Sequence, residues 1–267
     1  VVRALRYVAY HLLDALLPQT CVSCGVWLPA GRGLACESCH DELLVALKRP
    51  YCPRCGRTVP PPSIHEDGCA RCRTEHFWNV AGVARVCAYE PAARGAILDL
   101  KYRGHERNAE YLADLLAAAI RACPWAGKLH ALVPVPMHWL RRWQRPCDHA
   151  QLLAEALGQR LKLPVLRCVR RVRHGPSQTG IPSKQQRFEN VRGCFGPAGG
   201  LWMRVRGRCV CIVDNLMATG ATVHEVSKVL RRLGAGPIYA AVIARTAAPG
   251  DRPGALPPTV DEGLAIS

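Results

Sequence analysis

The chain has 267 residues, 49% hydrophobic and 21% charged, a balance that excludes a disordered tail or a fibrous repeat and leaves room for one large or two modest globular domains. Aromatic residues are only 6%, which argues against capture of nucleic-acid strands mainly by stacking bases on rings. The formal charge of +16, or about +12 if two four-thiolate zinc sites each add −2, suits anionic partners such as nucleic acid, phosphorylated small molecules or an acidic protein, with a generally basic, Arg-rich proteome as the alternative.

Val1 to Leu17 carries Arg3, Arg6, His11 and Asp14 within its apolar pattern. It lacks the unbroken apolar core of a signal peptide and the ~20 apolar residues of a membrane span, and reads as an amphipathic surface helix. Residues 21 to 72 show little regular periodicity and hold four CxxC pairs: Cys21 and Cys24, Cys36 and Cys39, Cys52 and Cys55, Cys69 and Cys72. Each pair can aim two thiolates at one ion from a tight turn, so two pairs complete the tetrahedral shell of a structural zinc site. Short loops favour sequential pairing, the first four cysteines on one ion and the last four on another, with a cross-braced arrangement as the alternative. A closed four-sulfur shell leaves no position for a reacting water, which makes the ions structural. Redox-active pairs or an iron–sulfur cluster are the rival readings, and His40, His65 and His76 are not needed as ligands. Eight of the fifteen cysteines in such pairs point to a reducing compartment, here the cytoplasm, and most of the other seven read as small buried hydrophobes.

From Val80 the pattern becomes α/β. A strand is predicted over Val80 to Tyr89, helices over Ala92 to Tyr102 and Arg107 to Arg121, a short strand over Ala131 to Val135, and a helix over Asp148 to Leu161. Arg170 to Asn190 is polar, basic and unpatterned, and reads as a long mobile loop. Cys209 to Val213 predicts a central strand, Ala221 to Leu233 a helix stopped by Gly234, and Ile238 to Ala244 another strand. The tail from Ala247, rich in Pro, Gly and Ala, reads as disordered.

The segment CVCIVDNLMATGAT, Cys209 to Thr222, carries the most chemistry. A buried strand is expected to end in Asp214 and Asn215, and a small-residue loop with Thr219, Gly220 and Thr222 then opens a helix. Backbone amides at that helix start, two hydroxyls and a glycine that permits close approach make a site for a phosphate dianion. The polar pair at the strand end can hold a neighbouring sugar's hydroxyls. A simple capping device is the alternative.

This segment resembles the phosphoribosyl pyrophosphate motif of type I phosphoribosyltransferases, which ends its strand in two acidic residues followed by a TTGAT-like turn. Together with LKYRG at Leu100 to Gly104, LVPVPMHWLRR at Leu132 to Arg142, and the stretch containing Gln178, Arg187 and Asn190, it is similar to the ComF/GntX family over roughly residues 17 to 246. The resemblance implies an α/β phosphoribosyltransferase-like (Rossmann-like parallel sheet) domain over 80–246 behind a double zinc ribbon over 18–79. A helix over 1–17 precedes them and a flexible tail over 247–267 follows.

It further implies that Asp214 and Asn215 face the ribose hydroxyls as the catalytic pair and that Ala218, Thr219, Gly220, Ala221 and Thr222 cradle the 5′-phosphate. Pro136 lies where such domains bind pyrophosphate, and Lys101 and Arg103 are further phosphate or acceptor ligands. Gln178, Arg187 and Asn190 form a loop that closes over the site, and Mg2+ accompanies phosphoribosyl pyrophosphate. The family's acidic pair is Asp-Asn here, one expected threonine is Ala218, and its RGFNQ stands as Arg145, Pro146, Cys147, Asp148 and His149.

Two functions therefore remain open. One is transfer of phosphoribose to an acceptor. The other is a catalytically inactive adaptor in which a phosphoribosyl pyrophosphate site is retained while the ribbons contact protein or single-stranded DNA. The family implies a role in natural transformation, at DNA uptake, with a helicase-like partner. Arg141, Arg142, Arg145, Arg167, Arg170, Arg171, Arg173 and Lys184 are the basic residues expected around the anion site, interleaved with His138, Trp139 and Trp143.

Overall fold

The structure, a computed structural model, describes residues 19–29, 33–65, 68–74, 79–102, 106–137, 147–173 and 184–246. The expected N-terminal helix, the C-terminal tail, Arg103, Gln178 and the 138–146 stretch lie outside them. Among the described residues no helix is long and apolar enough to cross a membrane.

The cysteine segment opens with a short hairpin, β1 (Gln19–Thr20) and β2 (Trp27–Leu28), paired antiparallel. Its first two CxxC turns that precede a glycine share one geometry. Gly25 N–H donates to the Cys21 carbonyl (2.8 Å) and Gly56 N–H to the Cys52 carbonyl (2.8 Å), with φ of +77° and +72°. Glycine is required at both because that backbone region is costly for a residue with a Cβ. The second pair of the first set straddles a helix start: Cys36 caps α1 (Glu37–Leu47) and Cys39 lies in its first turn. This helix was not expected in a segment read as irregular. Its buried stripe is Cys39, Leu43 and Ala46, at helical spacing, but with Cys39 counted as a ligand too little apolar period remained to be seen. Of the last pair, Cys69 immediately precedes α2 (Ala70–Thr74) and Cys72 lies within it.

Behind the cysteines lies a four-stranded parallel sheet, order β3-β8-β7-β4. Its strands are β3 (Gly82–Ala88), β4 (Ala131–Pro134), β7 (Val210–Met217) and β8 (Ile238–Arg245). They read as continuous apolar runs because both faces are covered. One face meets α3 (Pro91–Tyr102), α4 (Glu106–Arg121), α5 (His149–Leu161) and the first cysteine set. Ala84, Val86, Cys211, Val213 and Ile243 of the sheet pack there with Leu112, Leu116 and Leu153. The other face meets the second cysteine set and α7 (Ala221–Arg232), through Val83, Val210, Ile212, Ala240 and Val242. Each fully buried Leu in such a layer contributes roughly 1.5–3 kcal/mol.

Both sheet edges are occupied. Val83 N–H of β3 donates to the Pro53 carbonyl (2.7 Å), and Arg85 N–H to the Tyr51 hydroxyl (3.4 Å). On the other side Leu132 N–H of β4 donates to the Pro164 carbonyl (2.9 Å). Unpaired edge groups that could recruit another strand are thereby used within the chain.

The stretch expected as a long loop contains structure at both ends. β5 (Val169–Arg171) pairs antiparallel with β6 (Phe195–Pro197), and α6 (Lys184–Val191) precedes β6. The hairpin's partner strand lies 24 or more residues away in sequence, beyond local periodicity, and α6 is too short and polar to register as a helix. A second correction concerns β7, which runs on through Asp214 and Asn215 to Met217. β8 continues to Arg245 in register with Met217 and supplies backbone partners for the extra residues.

Candidate functional site

The structure brings the eight ligand cysteines into two sequential sets. The sulfurs of Cys21, Cys24, Cys36 and Cys39 all lie within 4.8 Å of one another, as do those of Cys52, Cys55, Cys69 and Cys72. The sulfurs stand 3.7 Å apart for Cys24–Cys36, 3.6 Å for Cys52–Cys72 and 3.7 Å for Cys55–Cys69. Four sulfurs at zinc bond lengths of about 2.3 Å around a tetrahedron would stand roughly 3.8 Å apart, so both sets fit zinc.

Backbone N–H groups prepare the thiolates. Cys21 Sγ accepts from Ser23 (3.4 Å), Cys24 (3.5 Å) and Cys36 (3.3 Å), and Cys52 Sγ accepts from Cys69 (3.2 Å). Burial alone would raise the Cys21 thiol, but those donors outweigh it and bring it down to about 6. At Cys52 the hydrogen bond from Cys55 is the largest influence and, against burial, brings the thiol down to about 4, while Cys55 goes up. The two centres differ in exposure. Cys24 is exposed and Cys36 partly so, whereas all four cysteines of the second set are buried. His40 is not among the clustered ligands; its Nδ1 lies 3.0 Å from the Tyr111 hydroxyl, tying α1 to α4. Of the other seven cysteines five are buried, and Cys123 and Cys147 are half-buried.

The second candidate site lies at the C-terminal ends of β4 and β7, where open parallel sheets bind ligands. Beyond Met217, Ala218 and Thr219 lead to Gly220, the N-cap of α7, at φ +85°. The Thr219 hydroxyl oxygen accepts from Ala221 N–H (3.3 Å), and His224 N–H donates to the Gly220 carbonyl (2.8 Å). Asp214 and residues 216–223 line one shallow depression together. Asp214 is half-buried, and its Oδ1 accepts from Asn215 N–H (2.8 Å). Burial pushes its carboxyl up to about 6; Asp148 pushes the same way, and Lys101 at the end of α3 opposes.

Asn215 does not share that setting. Successive strand residues face opposite ways, and Asn215 is fully buried with neither amide atom hydrogen-bonded. Beside the turn, an open cleft of about 280 Å³ is lined by Pro136, Met137, Asp148, Gln151, Arg167 and Arg170 among others. Asp148, whose field reaches Asp214, is the residue that sequence reasoning left out of the site. The available signal was an Asp directly before an apolar helical run, and it is the N-cap of α5, accepting from Gln151 N–H (3.3 Å). Asn190 is half-buried near the end of α6, and Arg187 lies on the same helix. α6 packs on the first turns of α7: Phe188 meets His224 edge-on at 5.9 Å, and Glu225 accepts from Gly193 N–H (2.9 Å).

A carboxyl raised toward neutrality by burial costs stability once it ionises. Because the folded value lies above the ordinary 3.8, the unfolded chain releases the proton first, and stability falls as pH rises from about 4 to about 6. Asp214→Asn is therefore expected to raise Tm at pH 8 and to raise it less at pH 5.5. Thermal unfolding of both proteins at both pH values tests this; an equal shift at the two pH values would refute it.

Residues 12–73 match the family described as the double zinc ribbon domain. Over 230 residues the chain is 29% identical to Competence protein F of Haemophilus influenzae, covering 84% of this chain and 96% of that protein. It is 27% identical to the DNA utilization protein YhgH of Escherichia coli, covering 86% and 98%. It is 25% identical to Competence protein ComFC of Bacillus subtilis, covering 74% and 78%. A purine phosphoribosyltransferase of Pyrococcus horikoshii is 20% identical, with a TM-score of 0.31 over 52% of this chain and 73% of that one, a superposition too loose to carry an argument.

Proposed function

Taking as premise that the chain belongs to the ComF family, we propose that it binds phosphoribosyl pyrophosphate at the Ala218–Thr222 turn and serves DNA uptake in the cytoplasm. The observation that carries the reading is the turn itself. It joins a central parallel strand to a helix whose N-cap is a left-handed glycine with no side-chain cap of its own, beside a carboxylate and next to an arginine-lined cleft.

In this reading the helix start and the Thr219 hydroxyl hold the 5′-phosphate. Asp214 takes the ribose hydroxyls, and Lys101 balances its charge. The diphosphate lies in the cleft along Val135–Met137, opposite Arg167 and Arg170. Mg2+ supplies charge neutralisation at the diphosphate. A cation that keeps waters and substrate oxygens needs few protein ligands, and the donor set fits, with Asp214 and Asp148 as the carboxylates that would serve it. Transfer to an acceptor would build positive charge at the anomeric carbon, and Asp214 is the residue of the Asp-Asn pair able to face it with a negative charge. Binding is thus the function this site supports best. The adaptor reading draws on the same arginines, which could follow a DNA backbone.

Calorimetric titration of the zinc-loaded protein with phosphoribosyl pyrophosphate and Mg2+ tests the proposal. Saturable binding is expected, weakened at least about tenfold by Thr219→Ala, which removes one hydrogen bond to a charged group, and abolished by Gly220→Val, which cannot hold φ +85°. Absence of binding by the unaltered protein would overturn it. DNA binding that weakens steeply with salt and ignores phosphoribosyl pyrophosphate would favour the adaptor.

A further inference from the structure

We infer that Arg245 makes the second cysteine centre part of the anion site. It is a positioning residue that fixes the Ala218–Thr222 turn against Cys55, so that metal held by Cys52, Cys55, Cys69 and Cys72, and not by the first set, governs the turn's geometry. The relevance to ligand binding rests on the function proposed above; the positioning itself does not.

Arg245 ends β8 and is 1% exposed. Its Nε donates to the Cys55 carbonyl (3.1 Å) and its Nη1 to the Met217 carbonyl (3.1 Å). Met217 is the last residue of β7, directly before the turn, and its carbonyl also accepts from Thr246 N–H (3.1 Å). One planar fork therefore joins the backbone of a metal ligand to the backbone that launches the anion-binding loop. Because guanidinium donors keep a fixed relative direction, displacement of one carbonyl loads the other. Gly56, the residue after Cys55, also lies near the Met217 side chain: a Cβ built on it would stand 3.5 Å from Met217 Cε.

Charge reinforces the geometry. A buried guanidinium is costly without compensation, and a zinc ion with four thiolates carries a net −2 in the module it touches. The first cysteine set sits on the opposite face of the sheet, among α1, α3 and α4, whereas Cys55, Met217 and the turn belong to the other face.

Hydrogen exchange of the full zinc-loaded chain, without ligand, tests the inference in Arg245→Met and Arg245→Lys. Both variants are expected to retain two zinc ions. In Arg245→Met the amides of 218–222 exchange at least about tenfold faster, with α4 and α5 unchanged. Arg245→Lys, which keeps the charge but reaches one carbonyl, falls between. Unchanged exchange at 218–222, or acceleration spread equally over α4 and α5, overturns the inference; should Arg245→Met fail to fold, Arg245→Lys is read by the same criterion. In a second arm, phosphoribosyl pyrophosphate with Mg2+ is expected to tighten zinc binding at the second centre about threefold in equilibrium competition with a chelator, since coupling between sites is reciprocal in binding free energy. If that compound does not bind the unaltered protein, the proposed function falls while the exchange result still decides the role of Arg245.

Discussion

Cys55→Ser is expected to cost the protein its second zinc ion and with it a cooperative unfolding transition, whereas Cys24→Ser costs one ion and much less stability. Structural zinc contributes about 10–16 kcal/mol of binding to small ribbons, as large as the ~5–15 kcal/mol that holds a typical domain folded. What decides the outcome is where each centre sits. Cys55 is fully buried in the layer that includes Val83, Met217 and Val242, so losing its ion leaves three buried thiols and a loosened knuckle inside a core. Cys24 lies at the surface of its knuckle, where water can replace the lost contacts. Zinc content by chelator release and melting by circular dichroism would show it. A Cys55→Ser protein melting within a few degrees of the unaltered one would contradict the asymmetry.

Gly95→Ala is expected to destabilise the protein by about 3 kcal/mol or more, although in a helix the change normally gains about 1 kcal/mol. Gly95 lies in α3 where the first cysteine knuckle crosses it. A Cβ there would overlap the Ser23 carbonyl oxygen and stand 2.6 Å from the Ser23 carbonyl carbon. Both are backbone atoms, so no rotamer change relieves the contact and either α3 or the knuckle must move. Gly127→Ala is the control: its Cβ would meet nothing within 4 Å, and a shift of no more than about 0.5 kcal/mol is expected. Denaturant unfolding of the two variants makes the comparison, with zinc retention as a second readout. Equal stabilities would remove the case for a close crossing.

The eight ligands were legible because CxxC spacing is itself the geometry of a two-thiolate turn. The central strands were legible because burial on both faces writes a continuous apolar run. Other features depend on distance. That the two cysteine sets lie on opposite faces of the sheet follows from the chain crossing the β3 edge, which no local pattern records. Asp214 and Asn215 are neighbours in sequence with related side chains, yet the strand pleat sends one to the depression and the other into the interior. Arg245 is one more cation in a basic chain until its bond to Cys55, 190 residues away, is drawn. The region 138–146, with His138, Trp139, Arg141, Arg142, Trp143, Arg145 and Pro146, and the segment with Gln178 lie outside the described residues.

The strand order sets a schedule for the ribosome. β3 has one sheet neighbour, β8, which leaves the exit tunnel about 150 residues later. At roughly 5–20 residues per second that is a wait on the order of ten to thirty seconds, during which an apolar strand has no partner. The segment at Tyr51 and Pro53 that occupies the outer edge of β3 is synthesised before it, together with every cysteine of both centres. Metal capture can therefore precede sheet assembly, giving the nascent chain a nucleus that already covers one edge of the strand that waits longest for its sheet neighbour.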